Sequence, residues 1–562
     1  MVKLITNIEE ISSMINVDVK KNFTSVLVGF DSYKALAPKI IEYDNKKYLL
    51  ACHLEKGNII AQKKISKTFP DDIEIIYYSP FFSFETSKEY IYPDLMSAFK
   101  KIVKQEKLVV VQNNIPVSIY RLLLDEYNIK FDKEEKISVI YNMYILSKND
   151  VLKQFNSNRD EAAIIASELI KKSPIKSYLK KMISKRSDTR FENLDKLMQK
   201  NKVNAVMCTS PLGIQEITGY GLKKFRENQQ ISALYKKGED KIYVFSKLPI
   251  DRELGNSKKV DIFSELSDKL SINDVLGIEE DHLPANFLAN LEISIGKTKN
   301  CMNLIRKSRQ NRGWEDLSFH IIVTRATVYA IEKTLQWTKN RIKNKERISE
   351  LDVENNYKNR LNEFKNKYNL PFNIVPMLTI CCSGNRTVIP SLPTEYYLDS
   401  YTKSLKIDAC VSIIDDQGIH HAASDIARTL VLEKEIKTVY EKLDDLMVRS
   451  VIPNIKPGMK GKDIYNLAVS KIDDNIDCFK NTGLLPLKVK KFDEIFNRNV
   501  GHIMGLQEPV TLFFLKDASE KVELGMIATI EYQWHTKDYG IGIEDDFIIG
   551  TDMGLNFSRD QL

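Results

Sequence analysis

LKIDACVSIIDDQGIHHAASDIARTLVL, residues 405–432, decides how the C-terminal half of this chain is read. Two apolar runs flank Asp415-Asp416-Gln417-Gly418, a composition that turns a chain back on itself. A two-residue loop of Asp416 and Gln417 sets Asp415 against Gly418 and, further along the same hairpin, Asp408 against Asp425. Carboxylates that face each other across a hairpin have Cβ atoms ~4.5–5.5 Å apart and repel unless a cation lies between them. The pairing asks for a metal, with Asp408 and Asp425 as ligands. Asp415 is the alternative first ligand, but its spacing to Asp425 has the wrong parity unless a bulge corrects it. Otherwise Asp415 and Asp416 are turn acids.

Two stretches further on supply more donors. Leu524–Glu531 and Gly540–Asp546 each carry a glutamate on an apolar strand, where a carboxylate without a partner is costly. Glu531 and Glu544 are thirteen residues apart, which fits a second hairpin crossing the same site. Between the two hairpins, Asn499-Val-Gly-His502 places an imidazole beside a glycine that permits close backbone approach. Carboxylates with an imidazole, held on rigid elements, are what a hydrolytic centre of two divalent ions requires.

These stretches resemble the pita-bread metallopeptidases of the aminopeptidase P and prolidase type. Ile407-Asp-Ala-Cys410 is similar to that family's "IDAG", and Ser424-Asp-Ile-Ala-Arg-Thr429 to its "SDITRT". The two aspartates stand further apart here by an even number of residues, which lengthens both arms and keeps their facing. Gly501–Pro509 resembles "GHGIGLxxHEP", Gly525–Glu531 resembles "GMVxTIEPG", and Gly540–Asp546 resembles "GIRIED". Asn454-Ile-Lys-Pro-Gly458 is similar to the "irPG" turn between them. The resemblance implies five ligands, Asp408, Asp425, His502, Glu531 and Glu544, binding two divalent ions (Mn, Zn, Fe or Co). A hydroxide between the ions would attack a carbonyl, with a glutamate such as Glu531 as general base.

Three positions depart from the family. Ser391, at the end of Cys382-Ser-Gly-Asn-Arg-Thr-Val-Ile-Pro-Ser391, stands where the family has a substrate-binding histidine. Gln507 replaces the histidine of "HEP", and Gly542 the arginine of "GIRIED". Serine and glutamine donate hydrogen bonds but carry no proton at neutral pH as histidine does. Ser391 and Gln507 are therefore candidate substrate-binding residues. His421 and His535 are candidate replacements for the lost histidines, or packing residues.

Working outward, 562 residues exceed what one core holds, so two or three domains are expected. Apolar runs at Ser25–Phe30, Lys47–Ala51 and Lys107–Gln112 alternate with helical patterns, the longest running from about Lys148 to Lys172. Residues 190–220 resemble the opening of the creatinase and prolidase N-terminal domain, which reads helix, strand, "TSPxNIxYLTG". A helical stretch from Asn303 through Trp337 resembles that family's linker into the catalytic domain. The expectation is an α/β (α+β) protein. It has two creatinase-type domains, 1–185 and 186–300, the first a diverged copy of the second, then a pita-bread domain at 301–562.

The net charge of +7, from 83 basic and 76 acidic residues spread along the chain, is a solvated surface and not a nucleic-acid footprint. No apolar run reaches the ~18–20 residues that span a bilayer. The N-terminus lacks the apolar segment of a secretory signal, and seven cysteines without regular spacing argue against a disulfide framework. A cytoplasmic protein is expected, acting on a peptide or small amide, without nucleic acid or membrane. The family adds the expectation of a homodimer. Two further readings stand beside the peptidase: a creatinase- or lyase-like enzyme on a small metabolite, and a non-catalytic binding module.

Overall fold

The computed structural model describes all residues except 1, 25–35, 80–90, 104–107, 133–138, 172–174, 185–187, 222–229, 251–253, 312, 389–390, 400, 497, 506–511, 537–538 and 560–562. The strand expected at Ser25–Phe30 lies outside the described residues. Two seven-stranded sheets precede the C-terminal domain. In the first, Val2–Ile5 lies inside the sheet, antiparallel to Lys39–Tyr43 and parallel to Leu108–Val111, which in turn is parallel to Asn128–Phe131. Lys46–Cys52 completes the hairpin with Lys39–Tyr43. The second sheet repeats this arrangement around Ala205–Cys208, with Ile231–Lys236 and Lys241–Ser246 on one side and Val275–Ile278 and Lys297–Asn300 on the other. Five strands thus share order and direction between the two sheets.

The boundary between these domains lies earlier than residue 185. Ile140–Ser147 pairs antiparallel with Lys241–Ser246 and with Lys258–Asp261, so it belongs to the second sheet. Its exposed and buried residues do not alternate cleanly, and the local sequence carries no sign of which sheet it joins. The helical stretch after it is two helices, Lys148–Asn156 and Arg159–Leu169, opened by a capping box of Ser147 and Asp150. The linker is likewise two helices, Met302–Gln310 and Leu317–Lys343.

The C-terminal domain packs two antiparallel sheets against each other, each with its own helices. Asn373–Ser383, Ser404–Ile414 and His420–Val431 form one sheet; Ile527–His535, Gly540–Ile549 and Gly554–Asn556 form the other. Leu317–Lys343 and Glu350–Lys367 cover the first, burying Phe319, Ile322 and Ala326 against Ile407, Val411 and Ile426. Each such large side chain contributes ~1.5–3 kcal/mol on full burial. Lys434–Asp445 and Gly461–Asp473 cover the second, where Ile530, Tyr532 and Ile543 meet Val439 and Ile464. The sheets meet where Thr429 Oγ1 accepts from Gly542 N at 2.8 Å and Ser404 Oγ donates to Gly540 O at 3.1 Å.

The second domain abuts the turn of the first hairpin. Gln215 exchanges two hydrogen bonds with the backbone of His420, both 2.9 Å, as a neighbouring strand would. Gly221 lies so close to this turn that a Cβ would stand 2.1 Å from the Gly418 carbonyl carbon. All seven cysteines are free, six of them buried. No helix among the described residues is long and apolar enough to cross a membrane.

Candidate metal centre

The first hairpin carries its aspartates on one face, but not opposite each other. Asp408 pairs with Ala427, and Asp425 with Cys410. The turn is longer than two residues: Asp415 N donates to Ile419 O, Gly418 N donates to Asp415 O, and Gly418 takes φ +83°. This is the three-residue loop with a left-handed glycine. The loop shifts the register by one residue and the bulge that skips His421 by one more, and together they move the aspartates from facing to diagonal while preserving their face.

The second hairpin pairs Glu531 directly with Glu544. His502 reaches the same place because Val500–Met504 runs along Ile527–Glu531. Thr529 N donates to His502 O, and Glu531 N donates to Val500 O, both at 2.9 Å. Only glycine fits at 501, where φ is +146° and a Cβ would meet Thr529 O at 2.1 Å.

Asp425, His502 and Glu544 are buried and present ligand atoms all within 4.8 Å of one another, the one such group among the described residues. His502 Nε2 lies 3.6 Å from Asp425 Oδ2 and 3.7 Å from Glu544 Oε1. Burial, and then the charges of Asp425, Glu531 and Asp408, push the Glu544 carboxyl well above its usual range. Two buried carboxylates converging on one imidazole nitrogen fit a divalent cation, whose charge removes that penalty. Asp408 and Glu531 lie alongside with other partners. Asp408 Oδ2 accepts from Gln533 Nε2 at 2.9 Å, and Glu531 Oε1 accepts a short hydrogen bond from Asn499 Nδ2.

The frame around these ligands is ionic. Arg428 donates to Glu544 O at 2.6 Å and to Asp545 Oδ1 at 2.5 Å. Burial pushes the Asp545 carboxyl up, but the guanidiniums of Arg428 and Arg559 outweigh it and hold the group below its usual value. Asp546, pushed up to about 7 chiefly by burial, accepts from Thr324 Oγ1 and from Asp425 N.

Other candidates land elsewhere. The bulge near Ile414 leaves His421 outside the ladder, stacked on Phe319 at 4.1 Å with its Nε2 3.0 Å from Asp415 Oδ2. His421 is therefore a core residue rather than a substrate-binding one. Asp415 is occupied by His421, Asn158 and the Ile419 amide, which removes it as first ligand. Ser391 is buried and accepts from Arg386 Nη2 at 2.8 Å, inside a network with Glu350. His535 ends the strand that carries Glu531 and stacks on Trp534. Gln507 lies outside the described residues.

Sequence reasoning missed four residues: Lys406, Arg498, Asn499 as the partner of Glu531, and Gln533. Lys406 and Gln533 each stand two residues from a ligand, hence on the same strand face, and that period could have found them. Arg498 and Asn499 lie on no regular strand, and nothing in their spacing marks them.

Residues 321–551 match the sequence model described as metallopeptidase family M24. An uncharacterized peptidase of Staphylococcus epidermidis is 23% identical over 378 residues, 64% of this chain and 96% of that protein. The fold is similar to that of an X-prolyl aminopeptidase from Caenorhabditis elegans, titled a cytosolic enzyme with a di-nuclear active site. The TM-score is 0.57 at 10% identity, covering 93% of this chain and 82% of that one. A dipeptidase from Pyrococcus horikoshii matches with a TM-score of 0.51 at 18% identity over 66% of this chain and 98% of its own. The resemblance, the mixed α/β architecture and the assignment to metal-dependent hydrolases are borne out.

Proposed function

We propose, from a chain whose residues 321–551 are a metallopeptidase M24 domain, that the protein hydrolyses a peptide or amide bond of a small substrate at the Asp425–His502–Glu544 site. The observation that carries this reading is the convergence of those three buried donors within 4.8 Å. When bound, a divalent ion there supplies a Lewis acid for the scissile carbonyl and a water acidified toward neutral pH. Glu531 faces Glu544 across the hairpin and is oriented by Asn499, so its carboxylate is placed to take a proton from the attacking water. The same glutamate, once protonated, hands that proton to the leaving nitrogen. One ion suffices for the reaction written this way.

Xaa-Pro peptides are the first substrates to test, because solved proteins of this fold include an X-prolyl aminopeptidase. A second reading, cleavage of a C–N bond in a small metabolite, is favoured by the altered substrate side. Gly542 has no side chain to offer, and Ser391 is tied to Arg386.

The experiment is a substrate screen of protein purified without chelator and loaded with Mn, Zn, Fe or Co. Release of an N-terminal residue, lost in Asp425→Asn, supports the peptidase. Metal-loaded protein inert to all peptides but cleaving an amidine or amide metabolite moves the reading to the second. Failure to take up any of these metals removes both and leaves a binding role. The homodimer and the cytoplasmic location belong to the same reading, tested by light scattering and fractionation.

A further inference from the structure

Four carboxylates crowd the centre, and Glu544 feels the other three, Asp425, Glu531 and Asp408. In a buried site their charge must be balanced. Two divalent ions would balance it, but the ligands do not arrange themselves symmetrically for two. Asp425, His502 and Glu544 converge, whereas neither Asp408 nor Glu531 joins that group.

Instead, the Asp408–Glu531 side is lined with the chain's own cations and amides. Gln533 bridges two charged groups, donating to Asp408 Oδ2 at 2.9 Å and accepting from Lys406 Nζ at 3.0 Å. Lys406 is 2% exposed. Arg498 is half-buried and donates to Gln533 O at 3.5 Å, and the charges acting on its guanidinium come from Glu531, Asp408 and Glu544. Asn499 holds Glu531.

This network is built into the packing. Gly542 lies across the hairpin from Gln533, and a Cβ there would stand 2.3 Å from Gln533 Oε1 and 2.8 Å from Lys406 Cδ. The missing side chain at 542 is the space that Gln533 and Lys406 fill.

We infer that the centre takes one divalent ion, at Asp425, His502 and Glu544, and that Arg498 and Lys406, with Gln533, replace a second ion beside Asp408 and Glu531. One divalent ion, a guanidinium and an ammonium balance four carboxylates as fully as two divalent ions would. A second dication would meet two fixed positive charges at short range in a medium that screens them poorly. The inference rests on the metal-dependent reading above, and its test separates the two.

Metal content of full-length protein loaded with excess Mn and desalted is measured by mass spectrometry, together with the Mn(II) electron paramagnetic resonance spectrum. The expected result is one ion per chain with the hyperfine pattern of an isolated ion. Asp408→Asn should retain that ion and Asp425→Asn should lose it. The double variant Lys406→Met, Arg498→Met should gain a second binding event, tightened by roughly tenfold or more per charge removed. The wild-type count needs no variant to fold, and circular dichroism checks each variant. Two exchange-coupled ions in the wild type, one of them lost in Asp408→Asn, would overturn the inference and leave the hydrolase reading standing. A wild type that binds no ion would overturn the hydrolase reading itself, and the inference with it.

Discussion

The two sides of the centre stand on the same two hairpins, each taking one strand from each, and differ in their neighbours. On one side, Asp425 and Glu544 converge on the His502 imidazole. On the other, Asp408 and Glu531 point into amides, with Lys406 and Arg498 close by. Both sides have the residue types of metal ligands at the expected spacing. What separates them is the side chains around the donors: the Thr529 hydroxyl, donating to Glu544 Oε1 at 2.6 Å, on one side, and two cations and two amides on the other. A ligand set read from sequence gives the donors present; the charge around each donor gives the number of ions it can hold.

The contrast can be broken most sharply at Asp425. Asp425→Asn should remove the bound metal and lower turnover by about 10³-fold or more, as loss of the charge-stabilising centre does. Metal analysis and initial rates on the substrate from the screen check it. If Asp425→Asn keeps its metal while Asp408→Asn loses it, the two sides have been assigned the wrong way round.

Arg428 should matter next, in the frame behind Glu544. Its guanidinium ties the backbone of Glu544 to Asp545, and Arg428→Met leaves a buried carboxylate with one partner fewer. A loss of ~3–5 kcal/mol is expected on breaking a buried pair, read as a lower midpoint in urea.

A smaller shared effect follows from His320, whose ring Nδ1 lies 3.0 Å from Ala423 O under the strand that carries Asp425. Burial depresses its pKa from 6.5 to about 4. The unfolded chain therefore takes up a proton first, and stability should fall as pH drops through the window from 6.5 to 4. The full loss is about 3 kcal/mol, and His320→Gln should flatten this part of the stability profile. An unchanged slope between pH 6.5 and 4 in the variant would show that His320 is not the group responsible.

The smallest effect is expected at Gln533. Gln533→Met removes the bridge between Lys406 and Asp408 and should cost ~1–3 kcal/mol of stability, with the ion count unchanged. A fall in metal content would place Asp408 in the occupied site and erase the difference between the two sides.

Much of the site was legible because strand chemistry is local. Asp425, Glu531 and Glu544 are carboxylates on apolar strands, and nothing but a bound partner explains such groups. The register of the first hairpin was not legible: Asp416-Gln417 has the composition of a two-residue turn, but the backbone closes between Asp415 and Ile419. Which of its two readings His421 takes was hidden as well, since the bulge near Ile414 leaves it outside the ladder and stacked on Phe319. The place of Ile140–Ser147 in the second sheet was hidden because its partners are about 100 residues away in sequence.

The sequence by itself determined the donors: two aspartates, a histidine beside glycine and two glutamates, each on an element whose period sets its face. Only the tertiary structure decided which donors converge and which are answered by the chain's own cations. Face and period follow from backbone geometry within a few residues. Charge balance in a buried site depends on side chains such as Arg498 and Lys406, which come from distant segments and meet the carboxylates only when the two sheets close.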